Sequence, residues 1–284
     1  MLSDLGDDSV SVKDGNAVSI DGNTGHKVNV RDEGHTLALS SGISKEQGSS
    51  IAVSVNGGEA EITAKTLQVT AAGGNRREGI HAASGDASTP ARLTVNGNLD
   101  ITASDVNNQK KGTSIGIYAA GNADVVVNGN VNMKKDNLWA VSGKGFSFYG
   151  ASGLYATSNM GTNSMGSSIT VNGDTVMKVD GNGVFANAGG SIVTLNGRTD
   201  IEVNKDTNLG YAALRAEDGT INVNVNRDAK GAVTDAGTHD VVIKGNVAAE
   251  TGAVNSMDKR GTLTQVNLGL STAGSSLTGT IYNG

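Results

Sequence analysis

Residues whose side chains could do acid–base chemistry are few in this chain and widely spaced. The segment NRREG at 75–79 is the densest, with Arg76, Arg77 and Glu78 side by side. Enzymes that cleave acidic polysaccharides need clustered carboxylates, for Ca²⁺ or for proton transfer, and a basic residue that takes the proton. No paired-aspartate block accompanies this segment. We therefore predict no catalytic residues, and a polysaccharide lyase or hydrolase remains the alternative interpretation.

The histidines do not form an obvious ligand set. They are scattered at His26, His35, His81 and His239. The first two lie near Asp21, Asp32 and Glu33, where a weak metal site could form, but we favour solvated loop residues. The chain has no cysteine, which excludes disulfides and thiolate-bound metals. We predict neither a metal site nor a cofactor.

The composition indicates a narrow core. Aromatic residues make up 3% of the 284 residues, proline occurs once and there are 41 glycines. Valine, isoleucine, alanine and leucine must therefore fill the interior. The net charge of −6 and the lack of a long basic block argue against nucleic acid as a partner. No apolar run is long enough to span a bilayer, and the start lacks a leader pattern, so we expect an internal fragment of a longer protein.

One short block, a strand followed by Asn-Gly, recurs along the chain. Its glycine stands at Gly97, Gly129, Gly173 and Gly197, and we assign Gly57 and Gly245 to the same place. The third and fourth glycines are 24 residues apart, and Gly245 follows the fourth after 48. Hairpins would return every 8–12 residues or so with varied sequences. A period of this length instead fits one coil of a right-handed parallel β-helix, an all-β fold with about three short strands per coil. We expect a single domain over 1–284, frayed at 1–15.

Each block alternates in polarity, which predicts the side chains that point inward. The predicted interior positions are Val95, Ile101, Ile117, Val127, Val171, Val184, Leu195 and Ile201. The asparagines of the blocks are Asn96, Asn128, Asn172 and Asn196. They should line up at one corner, where stacked asparagines can form a hydrogen-bonded ladder. We interpret this ladder as structural.

A second motif alternates with the first. It occurs as GIHAAS, GIYAAG, GLYATS and GVFANA, beginning at Gly79, Gly116, Gly153 and Gly183. Small residues such as Ala119, Ala156 and Ala186 suit the places where the tube is tight.

Together these motifs resemble the passenger regions of classical, monomeric autotransporters of Gram-negative bacteria. The end of the chain, STAGSSLTGTIYNG at 271–284, is similar to a rung that often lies near the C-terminal end of such passengers. The resemblance covers about 51–284. It implies a β-helix that is exported through the outer membrane and displayed on the bacterial cell surface, with a membrane barrel outside this fragment.

Many members of that family are adhesins or self-associating proteins, and some are proteases or esterases. The protease members carry a GDSGS nucleophile motif in a separate domain. The segment SGDAS at 84–88 lacks the second glycine of that motif, and we interpret it as a turn. No GDSL-type esterase block is present.

The largest break in the period marks a predicted binding loop. Gly129 and Gly173 are 44 residues apart, which leaves about 20 residues beyond one coil, and we assign the loop to 134–152. It contains four of the nine aromatic residues and three lysines: Trp139, Phe146, Phe148, Tyr149, Lys134, Lys135 and Lys144. A smaller excess before Gly129 contains Lys110 and Lys111. Insertions in solenoids map to loops on one face, often the binding face. Rings and lysines suit glycans or anionic ligands, although the rings could instead fill a packing gap.

The sequence therefore predicts a non-enzymatic module for bacterial attachment, aggregation or biofilm formation. Its partner would be a host or bacterial surface glycan, a matrix protein or another copy of the chain. Binding would use the 134–152 loop or a flank of the solenoid. The alternative is a β-helical lyase or hydrolase that acts on an acidic glycan.

Overall fold

The computed structural model describes residues 10–13, 17–22, 27–42, 48–84, 88–104, 113–138, 151–158, 165–203, 211–250 and 264–284. Within these ranges every regular element is a β-strand, and 22 strands belong to one sheet. Apart from the first pair, the strands of this sheet pair in parallel. The described part of the chain has no helix long and apolar enough to cross a membrane.

The sheet winds into a parallel β-helix with three faces, called A, B and C, which the chain visits in that order in each coil. Face A consists of β2 (Ala17–Gly22), the first part of β4 (Ser49–Ala72), β5 (Arg76–Ala83), β7 (Thr113–Ala120), β10 (Ser152–Thr157), β13 (Asn182–Asn187), β16 (Leu214–Glu217), β21 (Val247–Glu250) and β24 (Ile281–Asn283). At its first edge β1 (Val10–Lys13) pairs antiparallel with β2.

Face B consists of the first part of β3 (Val28–Gly42), the middle of β4, the first part of β6 (Ala91–Ser104), β8 (Ala123–Val127), β11 (Ser168–Val171), β14 (Ile192–Leu195), β17 (Thr220–Val223) and β22 (Gln265–Leu268). Face C consists of the last parts of β3, β4 and β6, then β9 (Val131–Leu138), β12 (Thr175–Val179), β15 (Thr199–Val203), β20 (Val241–Lys244) and β23 (Ser276–Thr278). A separate hairpin, β18 (Val225–Arg227) and β19 (Val233–Ala236), lies between faces B and C of one coil.

The strand–Asn-Gly blocks stack in register, as predicted. Val127 pairs with Val95 in the preceding coil and with Val171 in the next, and Val171 pairs with Leu195. The predicted interior is also confirmed, because all eight positions are at most 2% exposed. Alternating burial along strands such as β8 and β15 points every second side chain into this tube.

Glycine is required at the corner between faces B and C because successive coils touch there through their backbones. A Cβ atom built on Gly129 would lie 2.3 Å from the carbonyl oxygen of Gly97, and one on Gly173 would lie 2.5 Å from that of Gly129. Gly197 meets Gly173 in the same way. No side chain fits such gaps, so the recurring glycine is a packing requirement.

The assignment of Gly57 and Gly245 to this corner is wrong. The residues before Gly57 pair with β5, so Gly57 lies between faces A and B. Gly245 follows β20 on face C and precedes face A, and Gly279 stacks against its carbonyl oxygen. A turn-forming glycine serves any corner equally well, so the local sequence does not distinguish them. The inserted hairpin and the longer connection from β15 to β16 both lengthen this coil, and Lys244 follows its partner Glu202 by 42 residues.

The predicted boundaries of two segments also differ from the structure. Strand β9 continues to Leu138, where it pairs with Ala103, so 134–138 extend the sheet rather than open the loop. Ser152 is already the first residue of β10. At the start, Val10–Lys13 form β1 inside the segment expected to fray, because pairing with β2 satisfies their backbone groups.

Candidate binding surfaces outside the solenoid

The four asparagines of the repeated block form a hydrogen-bonded ladder along the axis. The Nδ2 of each asparagine donates to the Oδ1 of the asparagine in the preceding coil, at 2.8 Å in all three steps, from Asn196 to Asn172, Asn128 and Asn96. Because every amide points the same way, the ladder has a donor end and an acceptor end. Its last three members are exposed, so the ladder also borders an outer surface.

A carboxylate accepts a hydrogen bond from the donor end of the ladder. The Nδ2 of Asn96 donates to Oε1 of Glu61 at 2.8 Å, and Lys27 forms a close ion pair with the same carboxylate. The hydrogen bond from Lys27 lowers the pKa of Glu61, and the same hydrogen bond raises the pKa of Lys27. Asn96, Glu61 and Lys27 lie on three successive coils, so the charge pair ends the chain of amides on face B.

A second row follows the corner glycines. It consists of Asn98, Asn130, Asp174 and Arg198. The backbone N–H of each later member donates to the side-chain Oδ1 of the member before it, at 3.1, 2.8 and 3.0 Å in order. These bonds fix the side chains of the two asparagines with their oxygens toward the backbone. In the described structure neither Nδ2 group has a hydrogen-bond partner.

A shallow groove of about 260 Å³ runs beside this row on face C. Its polar lining includes Asn98, Asp100, Asn130, Asn132, Asp174 and Arg198. Asp100 and Asn132 share one outward register position, which continues through Val176 to Asp200. Arg198 lies 3.7 Å from Oδ2 of Asp174, so the one cation among the described lining residues is already paired. The groove is therefore rich in hydrogen-bonding groups and slightly negative.

A row of aromatic and cationic side chains occupies one outward position of face A. Successive coils place Ser54, His81, Tyr118, Tyr155, Phe185 and Arg215 in this register. The sequence interpretation missed this row. Its signal in the sequence is the third residue of the second motif, which carries a ring in each of GIHAAS, GIYAAG, GLYATS and GVFANA.

The rings of this row stack from coil to coil. Ring centroids are 5.2 Å apart from His81 to Tyr118, 5.3 Å from Tyr118 to Tyr155 and 4.9 Å from Tyr155 to Phe185. The guanidinium of Arg215 lies 5.4 Å from the centre of Phe185. Tyr155 and Phe185 are at most 2% exposed. The middle of the row is therefore a second, small core, and only its ends reach solvent.

The segment 75–79, where the sequence has its densest group of acidic and basic side chains, forms a buried ion cluster at one end of this row. Glu78 has a fully buried side chain, which accepts hydrogen bonds from Nε of Arg76 and, at 2.5 Å, from Nδ1 of His81. Burial opposes the charge of Arg76, but the Glu78 carboxylate outweighs it and raises the pKa of Arg76. Arg77 is also buried and donates to Oγ of Ser114 at 2.9 Å. Both oxygens of Glu78 are thus engaged in fixing the strand.

Most of the predicted loop residues lie outside the described part of the chain. These are Lys110, Lys111, Trp139, Lys144, Phe146, Phe148 and Tyr149. Lys134 and Lys135 lie on β9, and the structure describes only their backbone. The flanking strands show that both insertions connect face C to face A, in successive coils. These two predicted insertions therefore fall at the same corner of the solenoid.

The structure tests only part of the weak metal site. Nδ1 of His35 lies 3.1 Å from Oδ1 of Asp32 in an exposed pair, while the side chains of His26 and Asp21 are outside the described residues. Among the residues that the structure describes, no three metal-binding side chains come together.

The architecture and these surfaces define a parallel β-helix with polar and aromatic rows on its outside. No family model, no curated protein and no solved structure matches this chain. The resemblance to autotransporter passengers therefore depends on the sequence motifs alone.

Proposed function

We propose that this chain is an adhesion or self-association module that is displayed on a bacterial surface. It binds its partner along the outside of the solenoid and contributes to attachment, aggregation or biofilm formation. The partner is a surface glycan, a matrix protein or a second copy of the chain.

The observation that carries this proposal is the repetition of polar groups in register along the axis. The exposed amides of Asn128, Asn172 and Asn196 repeat once per coil, and the row from Asn98 to Arg198 repeats beside them. Adjacent parallel strands are about 4.8 Å apart, so each row offers a contact at nearly constant intervals. A long or repetitive partner can meet several equivalent contacts at once, and individually weak contacts then add to a firm attachment.

One observation favours the enzymatic alternative. The groove on face C contains the two carboxylates Asp100 and Asp174 beside Arg198, which is the kind of set that an acidic polysaccharide lyase or hydrolase needs. Arg198 is paired with Asp174 at 3.7 Å, and within the described part of the chain no other cation lines the groove. This arrangement supports binding better than proton abstraction from an anionic sugar. Incubation with polyuronates and measurement of chain length separates the two functions, because only the enzyme shortens the polymer.

Adhesion can be tested with beads that carry the purified chain. We expect such beads to clump, or to be retained on arrays of glycans and matrix proteins. Beads that carry the Val171→Asp variant, whose solenoid should be disrupted, are the control. Folded parent chain that neither clumps nor is retained on any surface contradicts the proposal.

A further inference from the structure

We propose that the groove between the B–C corner and face C binds an uncharged saccharide chain that lies along the solenoid axis. This inference rests on the proposed adhesive function and names the ligand class and the place of contact. It moves the contact away from the aromatic insertion between β9 and β10, which connects faces C and A.

The donors of the groove are held in place by the backbone. Oδ1 of Asn98 accepts from the N–H of Asn130, and Oδ1 of Asn130 accepts from the N–H of Asp174. Each amide is thereby oriented, and its Nδ2 group remains available without a partner among the described residues. A donor that is already oriented loses little conformational entropy when a ligand binds.

The acceptors lie on the neighbouring row. Within the described part of the chain, the side chains of Asp100 and Asn132 form no hydrogen bond to another residue, and both line the groove. Asp174 adds Oδ2, which is 3.7 Å from Arg198. Carboxylate oxygens accept from hydroxyl groups, and amide N–H groups donate to them. Alternating donors and acceptors on two adjacent rows suit a ligand whose neighbouring groups both donate and accept, as sugar hydroxyls do.

Charge decides between neutral and acidic sugars. Among the described residues, the lining contains the two carboxylates Asp100 and Asp174 but one cation, Arg198, which lies 3.7 Å from Asp174. The unpaired carboxylate of Asp100 repels a uronate or a sulfate and accepts readily from a hydroxyl. The site therefore selects uncharged chains, and its affinity should depend little on salt.

The test measures binding of neutral glucan, mannan and galactan oligosaccharides and of uronic-acid oligosaccharides to the folded chain. We expect a neutral oligosaccharide to bind, and Asp100→Ala and Asn132→Ala each to weaken it about five- to tenfold, because one or two hydrogen bonds are lost. Asp200→Ala is the matched control, since Asp200 lies in the same outward register outside the groove lining. Thermal melting of each variant verifies that it remains folded.

A second variant reverses the charge selection. Asp100→Lys should lose the neutral oligosaccharide and gain measurable binding of the uronic-acid probes. If the beads adhere but no neutral oligosaccharide binds, this inference is wrong and the proposed adhesive function stands. Neutral binding that is unchanged in both alanine variants overturns the assignment to this groove. A chain that adheres to nothing contradicts the proposed function itself.

Discussion

The side chains of Asn172 and Asn196 are 24 positions apart in the sequence, and a hydrogen bond of 2.8 Å joins them. Asn172 also donates to Asn128, so it makes two ladder bonds, whereas Asn196 is the last member and makes one. The ladder thus contains its own internal comparison between a middle position and an end position.

Asn172→Ala should destabilise the fold by about 1–2 kcal/mol and Asn196→Ala by roughly half as much, because each lost hydrogen bond contributes about 1 kcal/mol. Urea unfolding of both variants measures the difference. Thr170→Ala, on the same strand and facing outward, is the control. Equal losses at the two asparagines would contradict the ladder as a source of stability.

Val171→Asp should cost about 3–5 kcal/mol or prevent folding, since it places an unpaired charge at a fully buried position among apolar side chains. Thr170→Asp, one residue earlier and outward-facing, should change stability little. Thermal unfolding followed by circular dichroism compares the two. An unchanged melting temperature for Val171→Asp is not compatible with the interior position of this side chain.

Gly173→Ala should destabilise by about 1–3 kcal/mol or more, because its Cβ atom would meet the backbone of Gly129 at 2.5 Å. Gly42→Ala, whose Cβ atom would have no neighbour within 4 Å, should be neutral or slightly stabilising. Denaturant midpoints of the two variants measure this contrast. If both alanines are tolerated alike, the close approach of coils at the corner does not constrain the sequence.

The Lys27–Glu61 pair should stabilise the fold in a pH-dependent way. The pKa of Glu61 in the folded protein lies below its ordinary value of 4.5, so the contribution is complete above that value and is lost as the pH falls through the lower folded pKa. Glu61→Gln keeps an oxygen that can accept from Asn96 and removes only the charge. Its denaturant midpoint should therefore lie below that of the parent near pH 7 and approach the parent in strong acid.

Glu33→Gln is the matched control for this pH dependence, because Glu33 is 68% exposed and lies 3.6 Å from Arg31. It should alter the midpoint little at either pH. A Glu61→Gln deficit that is the same in acid and near neutrality would show that the charge is not its cause.

Trp139→Ala tests whether the aromatic insertion binds or packs. If it binds a glycan or an acidic partner, affinity should fall by roughly 1–3 kcal/mol while melting is unchanged. If the ring packs, melting falls and adhesion persists wherever the protein is folded. Measuring both properties on the same variant distinguishes these outcomes, and a folded variant that lacks 139–150 and still adheres like the parent would end the binding-loop hypothesis.

Several features of the solenoid could be predicted because they are local or periodic. The alternation in LTVNG places Val95 inside and Asn96 outside wherever the strand lies, and identical blocks stack because each coil buries its apolar face against the next. The asparagine ladder follows from the same periodicity. These features depend on which residue types recur at a fixed spacing, and that recurrence is visible in the sequence.

The sequence by itself determined the all-β class, the parallel stacking, the buried interior and the corner asparagines. Only the tertiary structure decided that Gly57 and Gly245 serve other corners, that Glu78 is buried between Arg76 and His81, and that rings from four coils form one row. The physical reason is that a turn-forming glycine suits any corner, and that insertions of unequal length separate partners by 24 residues in one place and 42 in another. Which side chains meet on the outer surface depends on the number of residues between successive coils. The packing of complete coils sets that number.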